Sequence, residues 1–156
     1  MKKKDTSQCP GGGKKILFVC TGNTCRSVMA AGIFKKLAED FTVTSAGIAA
    51  NPTYRIYGGL EEILKENGIS YENHVSTPVS QDLMEEADVI LVMEQRQRDY
   101  MTEKFSSFSD KVFLLTEFAG EAGDIFDPIG RPKSVYEMTF EKIKKLVEKI
   151  ILKLKE

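Results

Sequence analysis

Lys15-Ile16-Leu17-Phe18-Val19-Cys20-Thr21-Gly22-Asn23-Thr24-Cys25-Arg26-Ser27-Val28-Met29-Ala30 is the stretch around which the rest of the chain can be placed. Its first half is apolar, with aromatic and branched residues, and ends in a cysteine. A loop carrying Gly22 and Asn23 follows, and Arg26-Ser27 opens a segment with helical spacing. The order is strand, loop, helix. A loop whose backbone amides converge at a helix N-terminus binds anions, and glycine and asparagine tolerate the positive φ that such a nest requires. Thr21, Gly22, Asn23, Thr24, Cys25 and Ser27 would line the cradle. Arg26 adds a planar fork able to grip two phosphate oxygens at once. Cys20, at the carboxyl end of the strand, would place its sulfur in the same positive bowl, which favours the thiolate and makes a nucleophile.

At 156 residues the chain has the length of one domain and can bury a full core without staples. Charges balance to a net of −1, so composition offers no basic face for nucleic acid, and attraction of a charged substrate must be local. Three cysteines at unrelated spacings argue against a disulfide framework. Cys9, Cys20, Cys25 and the single histidine, His74, have no zinc spacing, so no metal and no cofactor are expected. Met1-Lys2-Lys3-Lys4 resembles the start of a signal segment, but no apolar stretch follows it. The expectation is a cytoplasmic protein without a membrane segment. Residues 1–14 read as a flexible, glycine-rich leader and 15–156 as the domain; Gly11-Gly12-Gly13-Lys14 precedes a strand instead of following one, so it is no nucleotide loop.

Downstream, Met29, Ala30, Ile33, Phe34 and Leu37 give the first helix an apolar face. Phe41 to Thr44 reads as the second strand, and Ser45-Ala46-Gly47 with Asn51-Pro52-Thr53 as a loop. Ile56, Leu60, Ile63 and Leu64 mark a second helix that Asn67-Gly68 stops, with Gly58-Gly59 weakening its first turn. Ser80 is a candidate N-cap for a short helix to Glu86. Asp88 to Met93 reads as a strand buried on both faces, Gln95 to Phe105 as a mostly solvated helix and Lys111 to Leu115 as the fourth strand. Ser134-Val135-Tyr136-Glu137 fits a capping box, after which Val135, Met138, Ile143, Leu146, Val147, Ile150 and Leu154 carry one amphipathic helix. Strands alternating with helices give an α/β fold with a four-stranded parallel sheet, whose ligands sit beyond the carboxyl ends of the strands, where Cys20 lies.

Asp127-Pro128 stands in a glycine-containing loop after the last strand, and the proline restricts Asp127 to extended geometry. A thiolate that attacks phosphorus needs its leaving group protonated, which a carboxyl facing the phosphate would do.

Cys20 and Arg26 form Cys-x5-Arg followed by Ser27, and with Asp127-Pro128 they make the chain resemble the low-molecular-weight protein tyrosine phosphatase family over residues 15 to 155. The resemblance implies a flavodoxin-like sheet of order 2-1-3-4. It implies Cys20 as nucleophile, Arg26 as the clamp on the phosphoryl oxygens, Ser27 as a hydrogen-bond partner of the thiolate and Asn23 as the holder of the strained loop. Asp127 would be the general acid and His74 a brace for the loop. Within the family, Cys20-Thr21-Gly22-Asn23-Thr24-Cys25-Arg26-Ser27 resembles the bacterial protein-arginine phosphatases, as do Asn73-His74-Val75-Ser76-Thr77-Pro78 and Leu83 to Asp88. Thr24 stands where tyrosine-specific members carry a bulkier aliphatic residue, and its hydroxyl would suit a planar guanidine. Ile129 and Gly130 follow Asp127-Pro128 in place of aromatic residues, so an aryl slot would be poorly lined there, although an aromatic is also expected at Ile129 in the arginine subclass. Val28 replaces the proline usual at the first helical position. Cys25, in the same loop, would trap an oxidised Cys20 as a disulfide.

The function implied is hydrolysis of phosphoarginine in phosphorylated proteins through a cysteinyl-phosphate, without metal. The alternatives are a phosphotyrosine phosphatase with the same machinery, an arsenate reductase-like redox enzyme, and a phosphate-binding module without turnover. No cysteine follows Cys25 to relay a disulfide, and both nucleophile and acid are present, which disfavours the last two.

Overall fold

Four short strands, β1 (Lys15–Cys20), β2 (Thr42–Gly47), β3 (Val89–Val92) and β4 (Val112–Leu114), pair into one parallel sheet in the order β2-β1-β3-β4 in the computed structural model, which describes residues 14–156. This is the order that the family resemblance implies; the leader with Cys9 lies outside the described residues. Parallel strands require crossovers, and helices supply them. In chain order these are α1 (Arg26–Leu37), α2 (Gly58–Glu66), α3 (Gln81–Glu86), α4 (Gln95–Lys104), α5 (Leu115–Phe118) and α6 (Lys133–Leu154), with a 3-10 helix at Ser106–Lys111.

β1 is central and buried on both faces, which explains its unbroken apolar run. Ile16, Phe18 and Cys20 face a core shared with α1, α2 and α6, where Phe34 packs against Phe18 and Phe41 with ring centroids 5.9 and 5.2 Å apart. Leu17 and Val19 face a second core with Ile90, Val92, Met84 of α3 and Met101 of α4.

Several sequence expectations move. β2 runs on through Ser45-Ala46-Gly47, which read as loop, because its pairing with β1 continues to Cys20↔Gly47. Ile56 precedes α2, and Gly58 and Gly59 form its first turn. β4 ends at Leu114, and Leu115 opens α5; neither that short helix nor the 3-10 turn has a periodic signature. Ser80 does cap α3, its hydroxyl accepting from the Leu83 amide at 3.2 Å, but Ser134 caps nothing: α6 starts at Lys133 after Pro132. Leu37 (43% exposed) and Met138 (70%) lie off the apolar faces assigned to them, and Tyr136, Phe140 and Ile151 fill the α6 face instead. α4 is largely solvated, yet Gln97 and Met101 are buried.

Candidate active site

The loop from Thr21 to Cys25 leaves β1 at its carboxyl end and enters α1 at Arg26. Its geometry is set from the neighbouring strand. The Cys20 carbonyl accepts from the Ile48 amide at 3.0 Å and the Thr21 carbonyl from Ala49 at 2.8 Å, and a side chain on Gly47 would stand 2.5 Å from the Thr21 carbonyl and 2.9 Å from the Asn23 nitrogen. Only glycine permits that approach. Asn23 alone in the loop has positive φ, at 57°; Gly22, also expected to use that freedom, does not.

Asn23 is the knot. Its side-chain amide donates to Ser27 Oγ at 2.8 Å and Ser45 Oγ at 3.0 Å, and its Oδ1 accepts from the Thr77 amide at 2.9 Å. Its carbonyl accepts from Ser76 Oγ at 3.1 Å and from His74 Nε2 at 2.7 Å, so that nitrogen carries the proton. Among the described residues, no group accepts from the backbone amides of Thr21 through Cys25, so the loop keeps a set of donors for an anion.

Cys20 Sγ lies 3.0 Å from Ser27 Oγ, and both are buried. Arg26 is 1% exposed and held through one nitrogen: Nη1 donates to Glu94 Oε2 at 2.6 Å and to the Ile125 carbonyl at 2.7 Å, while Nη2 stands 3.5 Å from Asp127 Oδ2. Asp127 turns its other oxygen to the Ile129 amide at 3.1 Å, an Asx turn stiffened by Pro128. Cys20, Arg26 and Asp127, separated in sequence, thus converge on one cradle.

Glu94 and Gln97 escape sequence reading. Gln97, 0% exposed, accepts from the Met93 and Glu94 amides and donates to Thr21 Oγ1 at 3.0 Å, while Glu94 holds both Arg26 and, at 2.7 Å, Arg96. The only local signal was a polar Glu-x-x-Gln at a helix start, which marks a capping box wherever it occurs. Burial alone would raise the Glu94 carboxyl, but the hydrogen bonds and charges of Arg26 and Arg96 outweigh it and hold it below its ordinary value.

Cys25 is buried and free of any disulfide. Burial pushes its thiol well up, with Cys20 and Asp127 adding to the effect against Arg26, so Cys25 is held as the neutral thiol. Thr24 is half-buried, with Oγ1 3.6 Å from the position a side chain on Gly22 would take, and Ile129 is 54% exposed at the rim. An aromatic wall does stand at the loop, from an unexpected direction: the Tyr54 ring lies within 4.0 Å of that same position over Gly22. No group of His, Cys, Asp or Glu among the described residues is gathered as a metal site, and no described helix is long and apolar enough to cross a membrane.

Comparison with known proteins places this arrangement. A protein-arginine-phosphatase of Bacillus subtilis is 39% identical over 146 residues, covering 90% of this chain and 97% of the relative. The low molecular weight protein-tyrosine-phosphatase PtpB of Staphylococcus aureus is 36% identical over 139 residues, covering 87% and 96%. Among solved structures, a cysteine-to-serine mutant of the YwlE arginine phosphatase with a phosphorylated active site serine superposes with a TM-score of 0.87 at 38% identity, covering 91% of this chain and 96% of that one. The family model for low molecular weight phosphotyrosine protein phosphatase matches residues 15–156, and the chain belongs to that family.

Proposed function

We propose that this protein hydrolyses phosphoarginine in phosphorylated proteins through a cysteinyl-phosphate on Cys20. The observation that carries the reading is the gathering of a buried Cys20 sulfur, a loop with uncommitted amides, the Arg26 guanidinium and the Asp127 carboxyl at the carboxyl end of β1. The phosphoryl oxygens sit on the loop amides and Arg26, which stabilise the charge spread over them during transfer. The Cys20 thiolate attacks phosphorus; the S–P bond forms as the P–N bond breaks, and Asp127 gives its proton to the departing guanidine nitrogen. Water then attacks the thiophosphate, Asp127 takes its proton, and inorganic phosphate leaves with the Cys20 thiolate restored. Ser27 steadies that thiolate by its hydrogen bond, and Asn23 with His74 holds the loop in shape. No step needs a metal, and the reducing cytoplasm is the compartment that keeps such a thiol free. Once peroxide has made a sulfenic acid of Cys20, Cys25 would give up its thiol proton to the departing hydroxide as its sulfur bonds to the Cys20 sulfur, releasing water and leaving a reducible disulfide.

Thr24 supports phosphoarginine, because its hydroxyl can accept from a guanidine that an aliphatic wall would leave unpartnered. Ile129 would set the outer edge of the pocket. Tyr54 favours a second reading, phosphotyrosine, since its ring offers a face to a phenyl group as well as to a planar guanidinium. The test is kcat/KM on matched phosphoarginine and phosphotyrosine peptides for the wild type and Thr24→Ile, with Cys20→Ser as the inactive reference. A wild-type preference of tenfold or more for phosphoarginine, about 1.4 kcal/mol, that Thr24→Ile reverses is expected. A preference for phosphotyrosine makes this a tyrosine phosphatase.

A further inference from the structure

Arg96 stands in the first turn of α4 with a side chain 64% exposed, yet its guanidinium is not left to solvent. Nε donates to Glu94 Oε1 at 2.7 Å, and Nη2 reaches Thr21 Oγ1 at 3.4 Å, one residue past the Cys20 nucleophile. Gln97, from the same turn, donates to that hydroxyl oxygen at 3.0 Å. Among the described residues, Arg96 Nη1 has no partner. The rim of the loop thus carries the Tyr54 ring near Gly22 and a guanidinium beside Thr21.

The platform that presents this guanidinium is tied down. Gln97 accepts from the Met93 and Glu94 amides, and the Gln95 amide donates to Asp124 Oδ1 at 2.9 Å, which fastens the start of α4 to the segment before Ile125. Little further ordering is needed when an anion arrives. The charge at this point is also unbalanced. Glu94 is one carboxylate shared by two guanidinium groups, Arg26 at 2.6 Å and Arg96 at 2.7 Å, so one positive charge is left over at the mouth. Asp127, as proton donor, is neutral when substrate is bound and does not cancel it. Neutralising Glu94 does not account for Arg96, because the buried Arg26 already does so. Arg98, two residues on, shows the contrast: among the described residues it has a carboxylate to itself, Glu117 at 2.8 Å. With a net charge of −1 the whole chain exerts no general pull on an acidic protein, and a fixed cation at the rim supplies a local one.

We propose that Arg96 is a specificity-determining residue whose guanidinium takes the carboxylate of an aspartate or glutamate flanking the phosphorylated residue of the protein substrate. This rests on the reading of the cradle as the seat of a phosphorylated side chain. A guanidinium forms charge-assisted hydrogen bonds with a carboxylate, and its open Nη1 side is the one available here. In an extended segment, neighbours one or two places from the phosphorylated residue lie about 3–7 Å from it along the chain, a spacing that an arginine at the rim can span.

The experiment uses the full chain and peptides with one phosphoarginine, in which a single glutamate is placed in turn at each of the two positions on either side and matched to a glutamine peptide. The readout is the ratio of kcat/KM, glutamate over glutamine, for the wild type and Arg96→Gln, so that any general effect of the substitution on the loop cancels. Expected is a wild-type ratio of about threefold to fivefold at one position or more, the size of an exposed ion pair, falling to about one in Arg96→Gln. A ratio near one at every position in the wild type overturns the inference, and so does a preference that survives Arg96→Gln. The same series built on phosphotyrosine keeps the two readings apart. Turnover of that series alone removes phosphoarginine as the substrate while the glutamate ratio is still measured. No turnover of either series above the Cys20→Ser background removes the reading of the cradle, and the role given to Arg96 falls with it.

Discussion

Asn23 holds φ at 57° while its amide and carbonyl reach Ser27, Ser45, Thr77, Ser76 and His74, so one side chain joins β2, the segment before α3 and the start of α1. Asn23→Ala would lose those side-chain bonds and force alanine into a left-handed conformation; a loss on the order of 2–4 kcal/mol in urea unfolding is expected. Asn23→Gly, free of the strain, should cost less. Glu94 gives a pH prediction. Its carboxyl is held below the ordinary value of 4.5, so the folded state binds fewer protons there than the unfolded one. The stability this contributes is complete above 4.5 and is lost as pH falls through the lower folded value. Unfolding free energy measured from pH 6 down to pH 3 should therefore fall less steeply in Glu94→Gln than in the wild type, at roughly pH values where carboxylates protonate. The same variant should lower kcat/KM about tenfold or more, because Arg26 loses the charge that orients it. Asn23 and Arg26 are legible in the sequence because the loop that they serve is local. Glu94 and Gln97 are not, because their partners lie across the sheet end on another crossover.

Helix ends separate two serines that look alike in sequence. Ser80 accepts from the Leu83 amide, whereas Ser134 is exposed inside the first turn of a helix that begins at Lys133. Ser80→Ala should cost about 1 kcal/mol and Ser134→Ala should stay within about 0.5 kcal/mol, both read by chemical denaturation. The difference arises because Pro132 already sets the entry to α6 with its fixed φ, here −62°, leaving no capping role for the serine. Strand ends were misplaced for a related reason. Ser45-Ala46-Gly47 has turn composition, but the pairing partner, β1, is still present beside it, and Gly47 is small for the sake of the Thr21 carbonyl and not for a turn.

Across the molecule, α1 and α6 close one face of the sheet, and Phe34 sits at their centre with 0% exposure between Phe18 and Phe41. Phe34→Ala should cost about 3–5 kcal/mol and lower Tm by well over 10 °C, while Met138→Ala, at a site 70% exposed, should change stability by less than about 0.5 kcal/mol. Calorimetry of the two variants separates the true apolar face of α6 from the one that spacing suggested. Spacing failed at Leu37 and Met138 because periodicity gives the direction of a face only to within a residue, and the neighbour that covers it decides its width. By itself, the sequence determined what is local or repetitive: the β1–loop–α1 unit with Cys20 and Arg26, the unbroken apolar strands of a parallel sheet, the Asp127-Pro128 turn, and from these the family. Only the tertiary structure decided which distant groups complete the site, Glu94 and Gln97 beside Arg26 and Thr21, and Tyr54 near Gly22. Those contacts span separate crossovers of the sheet, and a side chain's partner there follows from how the layers pack, which no spacing along the chain records.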